Sequence, residues 1–313
     1  VEILDLRHFS SADLRPLLED EIRVWADLLC WDYSGSAEMI LRYMDAKFLP
    51  GYAAVSRGKV FGYSFFVYEN SKGVIGDLFV REGENGMDRQ QVEQRLLRHV
   101  LETLQQSPGV HRIEAQLLAH ETGAASKPFL DQGFSRHTRL FMNLPLEQAN
   151  SGRAGFSEVE VRRWMEQDYQ LAASVIMSAY RNHVDSEIND QYRTLSGSLR
   201  FLNNIVRFPG CGSFDPESSF VAVEKRTRAL VGVILCSRVR HDVAHVTQVC
   251  VLPEYRSHGL GKALLACAAA NLRQRKFSAL SLTVTEANTR AVELYQELGF
   301  STRRLFDAFV WEG

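Results

Sequence analysis

The stretch Val243–Gly261, reading V-A-H-V-T-Q-V-C-V-L-P-E-Y-R-S-H-G-L-G, restricts the possible folds more than any other part of the chain. Val243, Val246, Val249 and Val251 make a β-branched run of the kind that forms strands. Leu252-Pro253-Glu254-Tyr255 turns the chain. Leu260, Ala263, Leu264 and Cys267 then recur at i, i+3, i+4 and i+7, the spacing of a helix with one apolar face. The order is strand, loop, helix. A helix start carries unpaired backbone N–H groups and the positive end of the helix dipole. Gly259 and Gly261 remove side chains that would hold an anion away from those groups, and Arg256 and Lys262 add positive charge. Two other phosphate motifs do not fit. Gly-Leu-Gly-Lys-Ala lacks the spacing and the hydroxyl of a Walker loop, and Leu264 stands where a dinucleotide fingerprint needs its third glycine.

Taken in order, the chain reads as one unit written twice. The first copy gives a strand in Val1–Arg7, helices over Asp13–Leu29 and Ala37–Phe48, and strands at Tyr52–Ser56, Val60–Tyr68 and Gly73–Val80. It continues with a helix over Gln91–Leu104, a strand at His111–Leu118, a short helix at Ala124–Asp131 and a strand at Arg139–Leu144. The second copy gives a strand at Phe156–Val161 and helices over Gln167–Tyr180 and Asp190–Phe208, with a polar loop between them. Strands at Ser219–Val223 and Leu230–Ser237 precede the organising strand, and Ala279–Thr285, Thr289–Leu298 and Thr302–Trp311 follow its helix as strand, helix and strand. Two anchors align the copies. Phe129-Leu130-Asp131-Gln132-Gly133-Phe134 matches Tyr295-Gln296-Glu297-Leu298-Gly299-Phe300, and Gly76-Asp77-Leu78-Phe79-Val80 matches Thr247-Gln248-Val249-Cys250-Val251. The expected division is residues 1–147, a linker at 148–155 containing Asn150, Ser151 and Gly152, and residues 156–313. The first copy has Arg81-Glu82-Gly83-Glu84-Asn85-Gly86 where the second has its anion loop, so two carboxylates stand where an anion would dock. Phe129 replaces Tyr295, and Thr122 matches Asn288 approximately. The first copy is therefore expected to be non-catalytic.

Arg-x-x-Gly-x-Gly after a strand ending in Val-x-Pro-Glu-Tyr, followed one helix and one strand later by Asn288-Thr289-Arg290-Ala291-Val292-Glu293-Leu294-Tyr295, resembles the two signatures of the GCN5-related N-acetyltransferases (GNAT). The resemblance implies an α/β fold of two tandem GNAT-like domains, each a mixed, mostly antiparallel central sheet flanked by helices. It implies acetyl-CoA as the cofactor and a small-molecule amine, or amino-acid-like compound, as the acceptor. By the same resemblance the amide of Val249 faces the thioester carbonyl, and Cys250 and Val251 lie along the pantetheine arm. Arg256, Ser257, His258, Gly259, Leu260, Gly261 and Lys262 wrap the pyrophosphate, and Asn288 and Ala291 complete the arm's site. Tyr295 lies beside the sulfur; a phenol with its ordinary pKa near 10 donates to a thiolate and is otherwise neutral. The histone-modifying members carry a glutamate four residues before the oxyanion amide, and here that position is His245. An imidazole suits proton abstraction near neutral pH, but four strand residues span about 13 Å, so a water relay or a bulge is needed. Asp185 and Glu187 are alternative bases, and Tyr180, His183 and Tyr192 join them in the segment that shapes the family's acceptor pocket. Transfer of another acyl group, and coenzyme A sensing without turnover, stay open.

The chain has 313 residues, enough for two cores, and its 45% hydrophobic and 24% charged residues are those of an ordinary globular protein. A net charge of −2 gives no electrostatic case for nucleic acid or an anionic membrane. The apolar run Ala263–Leu272 is about half a membrane span, and Glu2, Asp5 and Arg7 leave no signal-peptide core at the start. Five cysteines without a C-x-x-C pair fit a reducing cytoplasm. The histidines form no metal-binding pair on a helix, so no metal is expected. Monomer and homodimer both remain open.

Overall fold

The structure is a computed structural model that describes residues 1–82, 88–148, 157–207 and 212–313. Most of the expected linker, the glycines of the first copy's loop and Cys211 lie outside the described residues. The chain divides into two compact units.

Unit 1 comprises Val1–Arg139 and Leu305–Gly313. Its elements are β1 (Glu2–Asp5), α1 (Ser11–Leu29), α2 (Ser34–Asp45), β2 (Gly51–Ser56), β3 (Lys59–Glu69), β4 (Lys72–Val80), α3 (Arg89–Gln106), β5 (Arg112–Gln116), α4 (Ser126–Asp131) and the start of β6 (Ser135–Pro145). Ser10 and Asp13 form a capping box that starts α1. The strands run in the order β1-β2-β3-β4-β5, with the last strand of the chain beside β5. The α3 residues Leu97, Val100, Leu101 and Leu104 pack in one core with Phe129, Phe134 and Phe309.

Unit 2 comprises Leu140–Arg304. It contains the end of β6, then β7 (Val159–Arg163), α5 (Tyr169–Ala179), α6 (Asp185–Ile188), α7 (Leu195–Arg207), β8 (Ser213–Phe214), β9 (Phe220–Glu224), β10 (Leu230–Arg240), β11 (Val243–Val251), α8 (Leu260–Gln274), β12 (Ala279–Thr285), α9 (Thr289–Glu297) and the start of β13 (Ser301–Glu312). Its sheet order is β6-β12-β11-β10-β9-β7, with β8 on β10. β11 and β12 pair in parallel, whereas β10 pairs antiparallel with β11, β9 and β8, and β7 pairs antiparallel with β9. Leu260, Leu264, Ala268 and Leu272 of α8 pack on one face with Ala244, Val246 and Val251. Residues of α5 and α7 pack on the other with Leu235 and Cys250.

Three details depart from the sequence expectation. The helix expected over 190–208 is broken at Thr194, whose hydroxyl accepts from Gly197 N–H and starts α7 afresh at Leu195. The polar loop before it contains the one-turn helix α6. The compact units also differ from the boundaries 1–147 and 156–313. Leu305–Gly313 joins unit 1 because Ala308–Glu312 pairs antiparallel with Arg112–Gln116, Phe309 stacks on Phe129 at 4.0 Å, and the Asp307 carboxylate accepts from Thr122, Gly123 and Ser126. Leu140–Leu146 joins unit 2 because Met142, Leu144 and Leu146 sit in its core.

Candidate active site

The strands β11 and β12 pair over only four residues, from Val243 with Ala279 to Val246 with Leu282. Both continue beyond that point, to Val251 and Thr285, without further pairing to each other. A bulge at Thr247 shifts the register of β11 against β10 where the parting begins. The Leu252 N–H bonds to the Val231 carbonyl on β10. Antiparallel alternation then turns the N–H and C=O groups of Cys250 and Gln248 toward β10, and those of Val249 and Val251 away from it, into the opening.

The bulge also changes which side chains share a face. Ala244 and Val246 lie with α8 before it, and Val249 and Val251 after it. Cys250 therefore faces α5 and α7. Gln248 shares that face, where Tyr180 Oη donates to its Oε1 at 2.7 Å and stands 3.4 Å from the Val249 carbonyl. Tyr180 stacks on Tyr192 at 4.4 Å and meets His183 edge-on at 5.2 Å. Burial, with Tyr192 and Cys250 next, holds the Tyr180 phenol well above its ordinary pKa, so it stays neutral. Asp185 lies 3.5 Å from His183 Nδ1, and its carboxylate accepts from Thr285 at the end of β12. Asn288 caps α9 by accepting from Ala291 N–H at 3.4 Å, and its Nδ2 lies 3.4 Å from His183 Nε2. Thus Tyr180, His183, Asp185 and Tyr192 gather with Asn288 beside the opening. Glu187 is exposed on α6.

Tyr295 is buried on α9, in the same core cluster that Val249 and Ala291 pack against, with its ring 5.9 Å from Phe300. It is also among the groups that raise the Tyr180 pKa. His245 is buried in the sheet, stacked on Phe141 at 6.1 Å, with Nδ1 2.9 Å from Ser281 Oγ. The Ser281 hydroxyl also lies within hydrogen-bond reach of the Ala244 carbonyl, at 3.2 Å. Burial pushes the Cys250 thiol up to about 12, which makes it a poor nucleophile at neutral pH.

Past β11, a single 3-10 turn at Pro253–Tyr255 leads into Arg256. Ser257 and Gly259 both take left-handed backbone, at φ 69 and φ 80, and α8 starts at Leu260. A side chain at Gly261 would meet nothing nearer than 3.7 Å, so packing within the chain does not demand glycine there. His258 and Lys262 are exposed, Lys262 within 3.5 Å of Glu297. The Arg256 side chain does not lie along the loop. It donates to the carbonyls of Val251 and Ala179, tying the end of α5 to the end of β11. Arg290, which sequence reasoning did not single out, donates to Ser257 Oγ at 2.7 Å and brings a cation to the loop from α9. Its position two residues after Asn288 was the available signal. Gln248 and Thr285 were missed as well.

Residues 161–300 match the acetyltransferase (GNAT) family. A mycothiol acetyltransferase of Thermobispora bispora is 39% identical over 94 residues, 28% of this chain; the matched part spans 31% of that relative's length. A GCN5-related N-acetyltransferase from Sphaerobacter thermophilus superposes with a TM-score of 0.64 at 17% identity, over 92% of this chain and 91% of that one. A tandem GNAT protein from the clavulanic acid biosynthesis pathway superposes with a TM-score of 0.57 at 16% identity, over 99% and 98%. These likenesses show a tandem GNAT fold across the chain, and the family match falls in its second half.

Proposed function

We propose, from the match of residues 161–300 to the GNAT family, that this chain is an acetyl-CoA-dependent N-acetyltransferase for a small amine or amino-acid-like acceptor. Transfer is direct, with both substrates bound together. The observation that carries the reading is the parting of β11 from β12, with the amides of Val249 and Val251 turned into it. Acetyl-CoA, when bound, supplies an acyl group already activated as a thioester.

The chain's own residues do the rest. Val249 N–H donates to the acyl oxygen as charge builds on it, and being fixed in a strand it needs no reorganisation. The backbone of Val251 holds the pantetheine arm in the manner of a further strand. The N–H groups of Ser257–Lys262 receive the diphosphate, with Lys262 and Arg290 as nearby cations, and the side-chain-free Gly261 leaves room for its approach. Asn288 fixes the start of α9 and so the position of Tyr295. Tyr295 gives its proton to the departing sulfur. His245 Nε2 takes the amine's proton through a water; the bulge at Thr247 lies between it and Val249. Tyr180, His183, Asp185, Glu187 and Tyr192 shape the acceptor's side. The degenerate first repeat supports the fold without a second cofactor site, and the protein acts as a monomer or homodimer in the cytoplasm.

The test is release of free thiol from acetyl-CoA with a panel of small amines that includes the acceptor of mycothiol acetyltransferase, with the product's mass identifying the acyl group. Binding of acetyl-CoA without thiol release for any amine points to a sensor instead. With a competent amine, His245→Gln should alter the acidic limb of the pH profile; an unaltered limb removes it as the base.

A further inference from the structure

Gln248 is 4% exposed, and its Nε2 is buried with no hydrogen-bond partner among the described residues. Tyr180 occupies the other end of the amide, at Oε1. A buried donor without a partner is costly, and one that a chain retains calls for an explanation, a ligand acceptor or a bound water among them. The first repeat gives the control. There Asp77 stands at the position aligned with Gln248, and Tyr33 Oη donates to it at 2.6 Å as Tyr180 does to Gln248. But the other Asp77 oxygen is satisfied within the chain, by Leu78 N–H at 2.8 Å. The same motif is closed in the repeat whose loop sequence carries Glu82 and Glu84 and left open in the repeat whose loop sequence carries Arg256 and Lys262.

We infer that Gln248 is a specificity-determining residue: its NH2 group receives a carbonyl-type oxygen carried by the acceptor amine. The assignment rests on the acetyltransferase reading and narrows it to amines with a carbonyl on the carbon adjacent to the one that bears nitrogen, as in aminoacyl compounds. Gln248 lies on the face of Tyr180 and Tyr192, opposite the α8 face where Val249 packs. Its neighbour in sequence is the amide assigned to the acyl oxygen. One residue thus orients the acceptor while the next receives the acyl group. Because Nε2 has no solvent contact, the acceptor's oxygen reaches it only as the segment carrying Tyr180 and Tyr192 shifts.

The experiment pairs alaninamide with sec-butylamine, which has the same chain length but no oxygen, at equal free-base concentration. Wild type should favour alaninamide by on the order of 10- to 100-fold in kcat/KM, mainly through KM. Gln248→Met, which keeps the volume, should bring that ratio close to one; Tyr180 Oη loses its acceptor in this variant, so the ratio and not Tm is the readout. A purely structural role would lower both amines alike and leave the ratio unchanged. In parallel, the Gln248 side-chain NH2 resonances, assigned by their loss in Gln248→Met, should move when alaninamide is titrated into the wild-type protein with coenzyme A. A preserved ratio in Gln248→Met, or resonances that do not move, overturns the assignment of Gln248. Absence of wild-type turnover with every amine overturns the acetyltransferase reading instead, and the resonance titration still decides Gln248.

Discussion

The two repeats open the same gap and treat it oppositely. In unit 1, β4 and β5 pair in parallel over four residues, from Lys72 with Arg112 to Ile75 with Ala115, and a bulge at Gly76 marks where pairing ends. In unit 2, β11 and β12 repeat that pattern at Val246 and Thr247. Alternation turns Leu78 and Val80 into the first gap as it turns Val249 and Val251 into the second. But His120 Nε2 lies 2.7 Å from the Leu78 carbonyl, so the first gap is filled by the chain's own side chain. Behind it Glu21, fully buried, accepts from Tyr63 at 2.7 Å and interacts with Asp77. The architecture alone does not make a cofactor site; what matters is whether the parted strands are left for a ligand.

The comparison can be broken first at Tyr295, where unit 1 has Phe129. Tyr295→Phe should cost about 10- to 1,000-fold in turnover across pH 6 to 9 while acetyl-CoA affinity changes little. Full activity would mean the proton reaches sulfur another way. Next, Gly261→Glu gives the second loop the acidic character of Glu82 and Glu84 in the first. It should weaken acetyl-CoA binding by about 100-fold in calorimetry, roughly 3 kcal/mol. Tm should hold or rise, because a carboxylate suits a helix N-terminus and the site has room for a side chain. A variant that binds normally would remove the loop from the cofactor's site.

A smaller effect sharpens the contrast. His120→Ala unplugs the first gap and leaves the Leu78 carbonyl without its donor, at a cost of about 1–3 kcal/mol in denaturant melts. Acetyl-CoA should still bind once per chain; a stoichiometry of two would show that the plug alone separates the repeats. The smallest effect is in pH. Burial, then the nearby Asp77, raises the Glu21 pKa well above the ordinary carboxylate value. Its stabilising contribution is therefore complete below the unfolded-state pKa and is lost as pH rises through the higher folded value. Wild-type stability should fall on the alkaline side by up to about 1.4 kcal/mol per pH unit. Glu21→Gln should flatten that slope, and an identical slope would exclude Glu21 as its source.

The strand, loop and helix around Gly259, and the repeated order of elements, were legible because local periodicity and turn residues encode them. The parting of the strands was not. Val243–Val251 has one uninterrupted β pattern, and nothing in it says that pairing with β12 stops at Val246. Strict alternation would also put Gln248 on the same face as Ala244 and Val246; the bulge at Thr247 moves it to the other. His120 was invisible as a plug because its partner, Leu78, is distant in sequence. Arg256 was legible as a cation near the loop but not as a tether, since its partners are backbone carbonyls.

The assignment of Leu305–Gly313 to unit 1 bears on how the protein is made. As the chain leaves the ribosome, residues 1–139 emerge without the strand that flanks β5, and without Asp307 to organise the entry to α4. They wait until all of unit 2 has been synthesised. The earlier-made repeat is thus the later one to be finished, and cleavage between the repeats cannot release it intact.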